Sequence, residues 1–438
     1  MATDDQTTHQ SSCPASDISS RFDPFDGEPT RMYPIYADAR RSEPVFYAPE
    51  IDYWVLTRFD DVRAALGGDP EIFSATQALA LVTPLCPAAG AIAMEHGIQI
   101  SPSVVDEDPP LHTTHRKSLH KPFSRGRMRA MEPLVFDMLD RRLDELSSRG
   151  EMDLVDDLLF DIPAYILFEL FGIPRDELKN VRRFAQRLAV LGFGRPTEDE
   201  QITMTQGLAD FWEYCRTHVA RLIANPGDDA MSEFIRGLQA PGRAEELDPD
   251  YVTTVTFQLF FAGHETTVNA TAGGMRALLE NRTQWAELCA NPALIDNAVE
   301  ECLRFAPSVP AWRRITRAPV TLSGVEIPAG AKLLVAIGSA NRDESRFENG
   351  ESFDIHRSNA REHMAFGYGR HLCLGEALAR IEMRAIIGEL ARRLPHLELV
   401  PDQTYSYSPN TSHRGPIHVQ VCWDAAANPE AGARPERH

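Results

Sequence analysis

The chain has 438 residues, of which 43% are hydrophobic and 25% charged, a balance that suits a globular protein with an extensive core. Lys and Arg total 44 against 64 Asp and Glu, and the formal charge of -20 opposes binding to phosphate backbones or anionic lipid surfaces. The 7 cysteines are scattered with no C-x-x-C pair, which points away from a zinc ribbon or a disulfide scaffold and suits a reducing cytoplasm.

Residues 1–20 are rich in Ser, Thr, Asp and Gln and read as a disordered tail without the apolar core of a signal peptide. Residues 424–438 read the same way, leaving 21–423 as one domain with no linker or repeat. A short strand pair at 50–60 leads into a helix at Asp60–Leu66. The apolar stretch 74–105 reads as a functional loop in preference to an unrecognised helix. From 110 to 300 apolar residues recur at helical spacing, with an amphipathic helix from Met131 that ends at Gly150. Asp248-Pro249-Asp250 opens a long buried helix reaching Glu280. Short strands follow at 318–338, then a last helix at 374–394. The expected fold class is mainly α with a small β region. No run of 18 apolar residues marks a membrane span.

Phe366-Gly-Tyr-Gly-Arg-His-Leu-Cys-Leu-Gly375 is the most specific segment. Its glycines permit tight turns and close approach of a flat ligand, and a helix start after Cys373 favours the thiolate. A lone cysteine is usually an inert buried thiol, but here the full F-x-x-G-x-[HR]-x-C-x-G pattern is present. The loop resembles the haem-binding signature of the cytochrome P450 family. That resemblance implies that Cys373 ligates the haem iron. It also places Phe366, Gly367, Arg370, His371 and Gly375 around the cofactor, with His371 near a propionate.

Further segments carry the resemblance in family order. Ala262-Gly-His-Glu-Thr-Thr267 matches the family's A-G-x-[DE]-T-[TS] segment on its central helix. Reductive activation of oxygen consumes protons, and an acid beside an alcohol can relay them, an assistance worth about 10² to 10⁴ in rate. Glu265 would be the acid and Thr266 the hydroxyl donor, with Ala262 and Gly263 beside the haem. The bland alternative is that Thr266 only bonds back to a helix carbonyl. Two look-alikes fail: Val268 stands where a zinc-binding H-E-x-x-H motif needs histidine, and Leu372 where a dinucleotide fingerprint needs glycine.

Glu301-Cys-Leu-Arg304 places opposite charges one helical turn apart and matches the family's E-x-x-R clamp, with Glu300 as an adjacent distractor. Arg357 is the candidate third member. His112 and Arg116 share a helix face and match the family's propionate-binding pair. Arg314 is the further propionate candidate, or Arg313 if the register slips by one.

The resemblance covers about 30 to 423 and implies a triangular helical prism around a buried haem b. Such an enzyme inserts one atom of O2 into an organic substrate, using electrons that come ultimately from NAD(P)H. The roughly 60 residues after Cys373 leave no room for a fused reductase, so a separate ferredoxin is expected. From His115 to Arg129 there are six Lys or Arg and no acid. Arg116, Lys117, Lys121 and Arg125, with Arg370, would form its basic docking face. The resemblance places the substrate pocket between the apolar 74–105 loop with Leu81 and Val82, the Phe184–Phe193 region with Leu191, Leu259 and Ala262, residues 308–312 with Val309 and Trp312, and the final turn near Tyr407. This lining suits an apolar or aromatic small molecule. A peroxide-driven peroxygenase is opposed by the intact Glu265–Thr266 pair, whereas ring coupling or nitration would keep the same motifs. A haem sensor would have little use for the acid–alcohol pair. The protein is expected to be a cytoplasmic monomer.

Overall fold

Apolar residues at three- and four-residue spacing build a helical body, while a minor sheet gathers from segments distant in the chain. The computed structural model describes residues 16–26, 28–174, 177, 188–239 and 247–429. In chain order the first helices are α1 (Asp17–Arg21), α2 (Pro29–Ser42), α3 (Phe59–Gly67), α4 (Pro87–Glu95), α5 (Leu111–Leu119), α6 (Arg125–Ala130), α7 (Glu132–Leu146) and α8 (Asp161–Phe171). Then come α9 (Leu188–Phe193), α10 (Glu198–Ala224), α11 (Ala230–Leu238), α12 (Pro249–Glu280), α13 (Arg282–Ala290), α14 (Ile295–Phe305), α15 (Ile337–Ala340) and α16 (Glu376–Arg393). The strands are β1 (Val45–Ala48), β2 (Tyr53–Leu56), β3 (Phe73–Ser74), β4 (Glu151–Asp153), β5 (Trp312–Thr316), β6 (Val320–Leu322), β7 (Val325–Ile327), β8 (Lys332–Val335), β9 (Glu398–Leu399) and β10 (Gln420–Cys422).

The main sheet has the order β1-β2-β8-β5-β3, with β2 and β8 parallel and the other pairs antiparallel. Alternation along the pleat sends Leu56, Leu333 and Val335 into a cluster with Phe59 and Val62 of α3. Phe46, Val55 and Leu334 pack with Met32 and Tyr36 of α2. The largest core lies among α7, α8, α10, α12, α14 and α16. Phe171 of α8 meets Phe260 of α12 edge-on at 4.7 Å. The 32-residue α12 begins where Asp248 accepts from the Asp250 N–H and Pro249 takes the first helical position. It is buried on most sides because other helices surround it.

Several boundaries depart from expectation. Residues 17–20, expected in the tail, begin α1, where Ser16 caps the Ser19 N–H. Residues 1–15 and 430–438 lie outside the described residues. The stretch 74–105 contains the nine-residue α4, started by Pro87, so part of its apolar composition is helical. Helix α7 stops at Leu146, and Gly150 (φ 81°) instead turns the chain into β4. Strand β5 precedes the expected strand region. No helix of the described residues is long and apolar enough to cross a membrane.

Candidate active site

The cysteine loop is tied to the fold by its backbone. The Cys373 N–H donates to the Phe366 carbonyl (2.9 Å) and Gly367 N–H to the Met364 carbonyl (2.8 Å). Gly369 has φ 75°, and a Cβ there would lie 2.7 Å from the Gly67 Cα at the end of α3. No other residue fits that approach. Arg116 of α5 donates to the Leu372 carbonyl at 2.5 Å, joining α5 to the loop. Helix α16 then starts one residue after Gly375.

Cys373 opens onto an internal cavity of about 290 Å³ while protein surrounds it. Burial pushes its thiol up, against the opposing effects of the Gly375 backbone N–H and the Arg116 charge. A metal cation bound at the sulfur would favour the thiolate. Ala262, Gly263 and Thr266 of α12 contribute to the same cavity, as do Leu259, Val309 and Trp312. Thr266 donates its hydroxyl to the Ala262 carbonyl at 2.5 Å, so the back-bond is present and the side chain still borders the cavity. The bare Cα of Gly263 accommodates Leu167 of α8, whose side chain would lie 2.9 Å from an added Cβ. Glu265 is turned off the cavity wall, and its carboxylate faces His413 of the C-terminal turn at 3.7 Å.

Beside the cysteine loop, two histidines and a buried arginine crowd together. The His112 and His371 rings lie 4.2 Å apart, and His112 Nε2 is buried without a hydrogen-bond partner. Burial, reinforced by Arg116 and Arg370, lowers His112 to about 4. Burial together with Arg314 and His112 lowers His371 to about 3. Arg314 is 2% exposed and pushed down by burial to about 10. The one hydrogen bond of its guanidinium among the described residues goes to the Arg313 carbonyl. Asp108, the nearby acid, is occupied by Ser74, the Ala75 N–H and Arg317. A buried arginine with no contacting carboxylate among the described residues, beside two imidazoles, forms a site that anionic groups of a ligand would complete.

On α14, Arg304 and Glu301 form a fully buried bidentate pair. Arg357 approaches Glu301 at 3.3 Å and also ties the carbonyls of Glu348, Asn349 and Ser352. Glu300 serves a different anchor, pairing with Arg380 of α16 (2.8 Å) and His363 (3.1 Å). Arg380 in turn lies over the Phe366 ring. The two adjacent glutamates thus secure different parts of the loop's surroundings.

Other expected residues lie elsewhere. Arg370 points outward, donating to the Gly68 carbonyl, and is not on the cavity wall. Arg313 and Arg314 leave β5 on opposite faces, and Arg313 binds the Ala80 carbonyl and Thr411. Leu81 is 43% exposed, and the Val82 N–H bonds to the Gly192 carbonyl. Leu191 is buried in the helical core, and the Tyr407 hydroxyl pairs with Arg276. None of these four residues is on the cavity wall. Phe184 lies outside the described residues. In their place the wall includes Leu79, Val104, Gln258, Phe261, Ser308 and His413. Leu79 and Val104 fall in the expected 74–105 stretch and Ser308 in the expected 308–312 segment, whereas no motif announced Gln258, Phe261 and His413.

The family model for cytochrome P450 matches residues 213–411. The chain is 34% identical over 353 residues to cytochrome P450 107B1 of Saccharopolyspora erythraea, covering 80% of this chain and 84% of that one. The chain belongs to the cytochrome P450 family. Among solved structures, an intact type IV self-sufficient cytochrome P450 monooxygenase superposes with a TM-score of 0.91 at 40% identity. The match covers 97% of this chain but 56% of that one, so the chain spans little more than half of that relative. Cytochrome P450 CREJ in complex with (4-ethylphenyl) dihydrogen phosphate gives a TM-score of 0.88 at 35% identity, covering 93% of this chain and 100% of that one.

Membership in the P450 family implies haem iron, O2 and electrons from a redox partner. The residues present fit the group. A cysteine sulfur opens onto the cavity and, among the described residues, His112 Nε2 lacks a partner and Arg314 is a buried cation with no contacting acid. The expected basic docking face is weaker than its sequence. Glu233 of α11 pairs with Lys121 and Arg127, each at 2.6 Å, and Glu376 lies 3.7 Å from Arg125. Lys117 and Arg370 are exposed.

Proposed function

We propose that this P450 inserts one oxygen atom from O2 into a mainly apolar or aromatic small molecule, by hydroxylation or epoxidation. One observation carries the reading: Cys373 and Thr266 border the same cavity, whose other walls are largely apolar. Haem b, bound through Cys373 with Arg116, Arg314, His112 and His371 toward its propionates, would bind and reductively activate O2. The Glu301–Arg304–Arg357 clamp would steady the loop beneath it. Thr266 would hold a proton at the cavity face, and Glu265 would resupply it from behind. Leu259, Val309 and Trp312 would exclude water and orient the substrate. The aromatic ligand of the CREJ structure supports an aromatic substrate class.

Electrons would come from NAD(P)H through a separate ferredoxin that docks beside Lys117 and Arg370. The likeness to a self-sufficient enzyme favours a second reading, in which a covalently joined reductase module supplies them. We place the protein in the cytoplasm as a monomer, a setting that suits its free cysteines.

The test has two steps. The reduced haem-loaded protein should show the thiolate-type band with carbon monoxide, and its absence would sink the haem-thiolate reading. Aromatic compounds should then be screened by haem difference spectra, and binders assayed with ferredoxin, reductase and NADPH or with hydrogen peroxide alone. Product from peroxide alone, with none from the ferredoxin system, would replace the monooxygenase reading by a peroxygenase.

A further inference from the structure

Glu265 has a specific neighbour from the far end of the chain. Among the described residues its Oε2 is buried and lacks a hydrogen-bond partner, and the same is true of His413 Nδ1. The two atoms lie 3.7 Å apart. Buried polar atoms are seldom left unpaired, and a small closure would satisfy both with one hydrogen bond. The geometry around His413 favours a fixed ring. It is 4% exposed, stacks on Phe261 of α12 (5.2 Å between centroids, 17°) and meets Phe193 at 5.4 Å. Its backbone N–H donates to Asn410 Oδ1 at 2.6 Å, and the next residue, Arg414, donates its N–H to the Ser308 carbonyl at 2.8 Å. Gly415 then lies so close to Asn269 that a Cβ would approach its Cα to 2.6 Å. The turn is thereby seated on α12, and the imidazole forms part of the cavity wall while Glu265 does not.

We infer that His413 is a positioning residue for the relay acid: its Nδ1–H donates to Glu265 Oε2 and holds the carboxyl behind Thr266. This rests on the proposed role of Glu265. A hydrogen bond to a carboxylate is short and directional, so it selects one rotamer of a side chain that is otherwise free to turn toward solvent. The imidazole thus joins the substrate cavity to the acid supplying protons there.

Three single variants and one double variant test this on the haem-loaded protein. His413→Phe keeps the ring stack but removes the donor, His413→Asn keeps a donor near the Nδ1 position, and Glu265→Gln removes the acid. With ferredoxin, reductase, NADPH and no substrate, oxygen consumption and peroxide release are followed in H2O and in D2O. His413→Phe should slow proton-dependent turnover by about tenfold and change the solvent isotope effect, and His413→Asn should restore both. In a Glu265→Gln background His413→Phe should add nothing further. Thermal midpoints should be non-additive in the same double-mutant cycle, a readout independent of turnover. An unchanged isotope effect in His413→Phe, with additive midpoints, would overturn the role of His413. If Glu265→Gln itself leaves the isotope effect unchanged, the relay reading falls and the inference falls with it.

Discussion

Glu301 and Arg304, one turn apart on α14, meet through two hydrogen bonds of 2.7 Å with neither side chain exposed to solvent. The remaining Arg304 N–H groups reach the carbonyls of Asn341, Gly350 and Ser352, each at 2.8 Å. Glu301 also accepts from the Asp354 N–H at 2.8 Å. Lysine cannot reproduce the planar fork and would leave several of these groups unpaired. Arg304→Lys should therefore cost about 3–5 kcal/mol, read from the urea midpoint of the haem-loaded protein. A loss below about 1 kcal/mol would show that the pair behaves like an exposed one.

Cys373 contributes chemistry more than packing, because it opens onto the cavity. Cys373→Ser should abolish the thiolate-type carbon monoxide spectrum while leaving the far-ultraviolet circular dichroism unchanged. A retained thiolate band would assign the ligand to another cysteine.

Arg314 gives opposite expectations with and without haem. In the apoprotein it is a buried cation without a contacting acid among the described residues, so Arg314→Leu should raise the thermal midpoint. In the haem-loaded protein the same change should speed haem transfer to apomyoglobin by about 10- to 100-fold, through loss of one charge-assisted bond. Equal effects in both forms would argue against a propionate contact.

Two buried glutamates should shape opposite limbs of the stability–pH profile. For Glu300, burial works to raise the carboxyl, but hydrogen bonds from His363 and Arg380 prevail and hold it at about 2, below its ordinary 4.5. Its contribution is present above pH 4.5 and is lost as pH falls toward about 2, so Glu300→Gln should flatten that limb. Burial pushes Glu382 up to about 8 from 4.5. Between those values the unfolded chain releases the proton while the folded protein keeps it, so stability falls as pH rises. Glu382→Gln should remove that fall, as read from urea midpoints between pH 4 and 9.

Lys117 is exposed on the proposed docking face, whereas Lys121 is already paired with Glu233. Lys117→Glu should lower kcat/KM for ferredoxin by about threefold to tenfold and weaken its salt dependence. Lys121→Glu should act mainly by breaking the pair with Glu233 and lowering stability. Equal kinetics for Lys117→Glu and the unaltered protein would remove this face from the electron path.

Much of the site was legible because its residues cluster in short runs with chemically constrained spacing. The loop 366–375 needs glycine where a Cβ at Gly369 would press on Gly67, and Glu301-x-x-Arg304 needs one helical turn. The cavity walls were less legible. Leu81, Val82, Leu191 and Tyr407 were plausible by position along the chain, yet a difference of one or two residues decides which way a side chain points. Leu79 is on the wall and Leu81 is at the surface. Helix α4 was hidden because its composition, PAAGAIAME, lacks the polar face that marks a surface helix.

The sequence by itself determined the family, the cysteine loop, the acid–alcohol pair and the long central helix, since each depends on residues close together in the chain. Tertiary structure alone brought Glu233 to a basic run that holds no acid of its own, and His413 to within 3.7 Å of Glu265. It also gave Glu300 a separate anchor in Arg380, and turned Arg314 toward the cavity while Arg313 joined Ala80 to Thr411. Charge pairing and cavity lining depend on distance in space. Residues far apart in the chain become neighbours only when the apolar faces of helices such as α8, α10 and α12 are buried together.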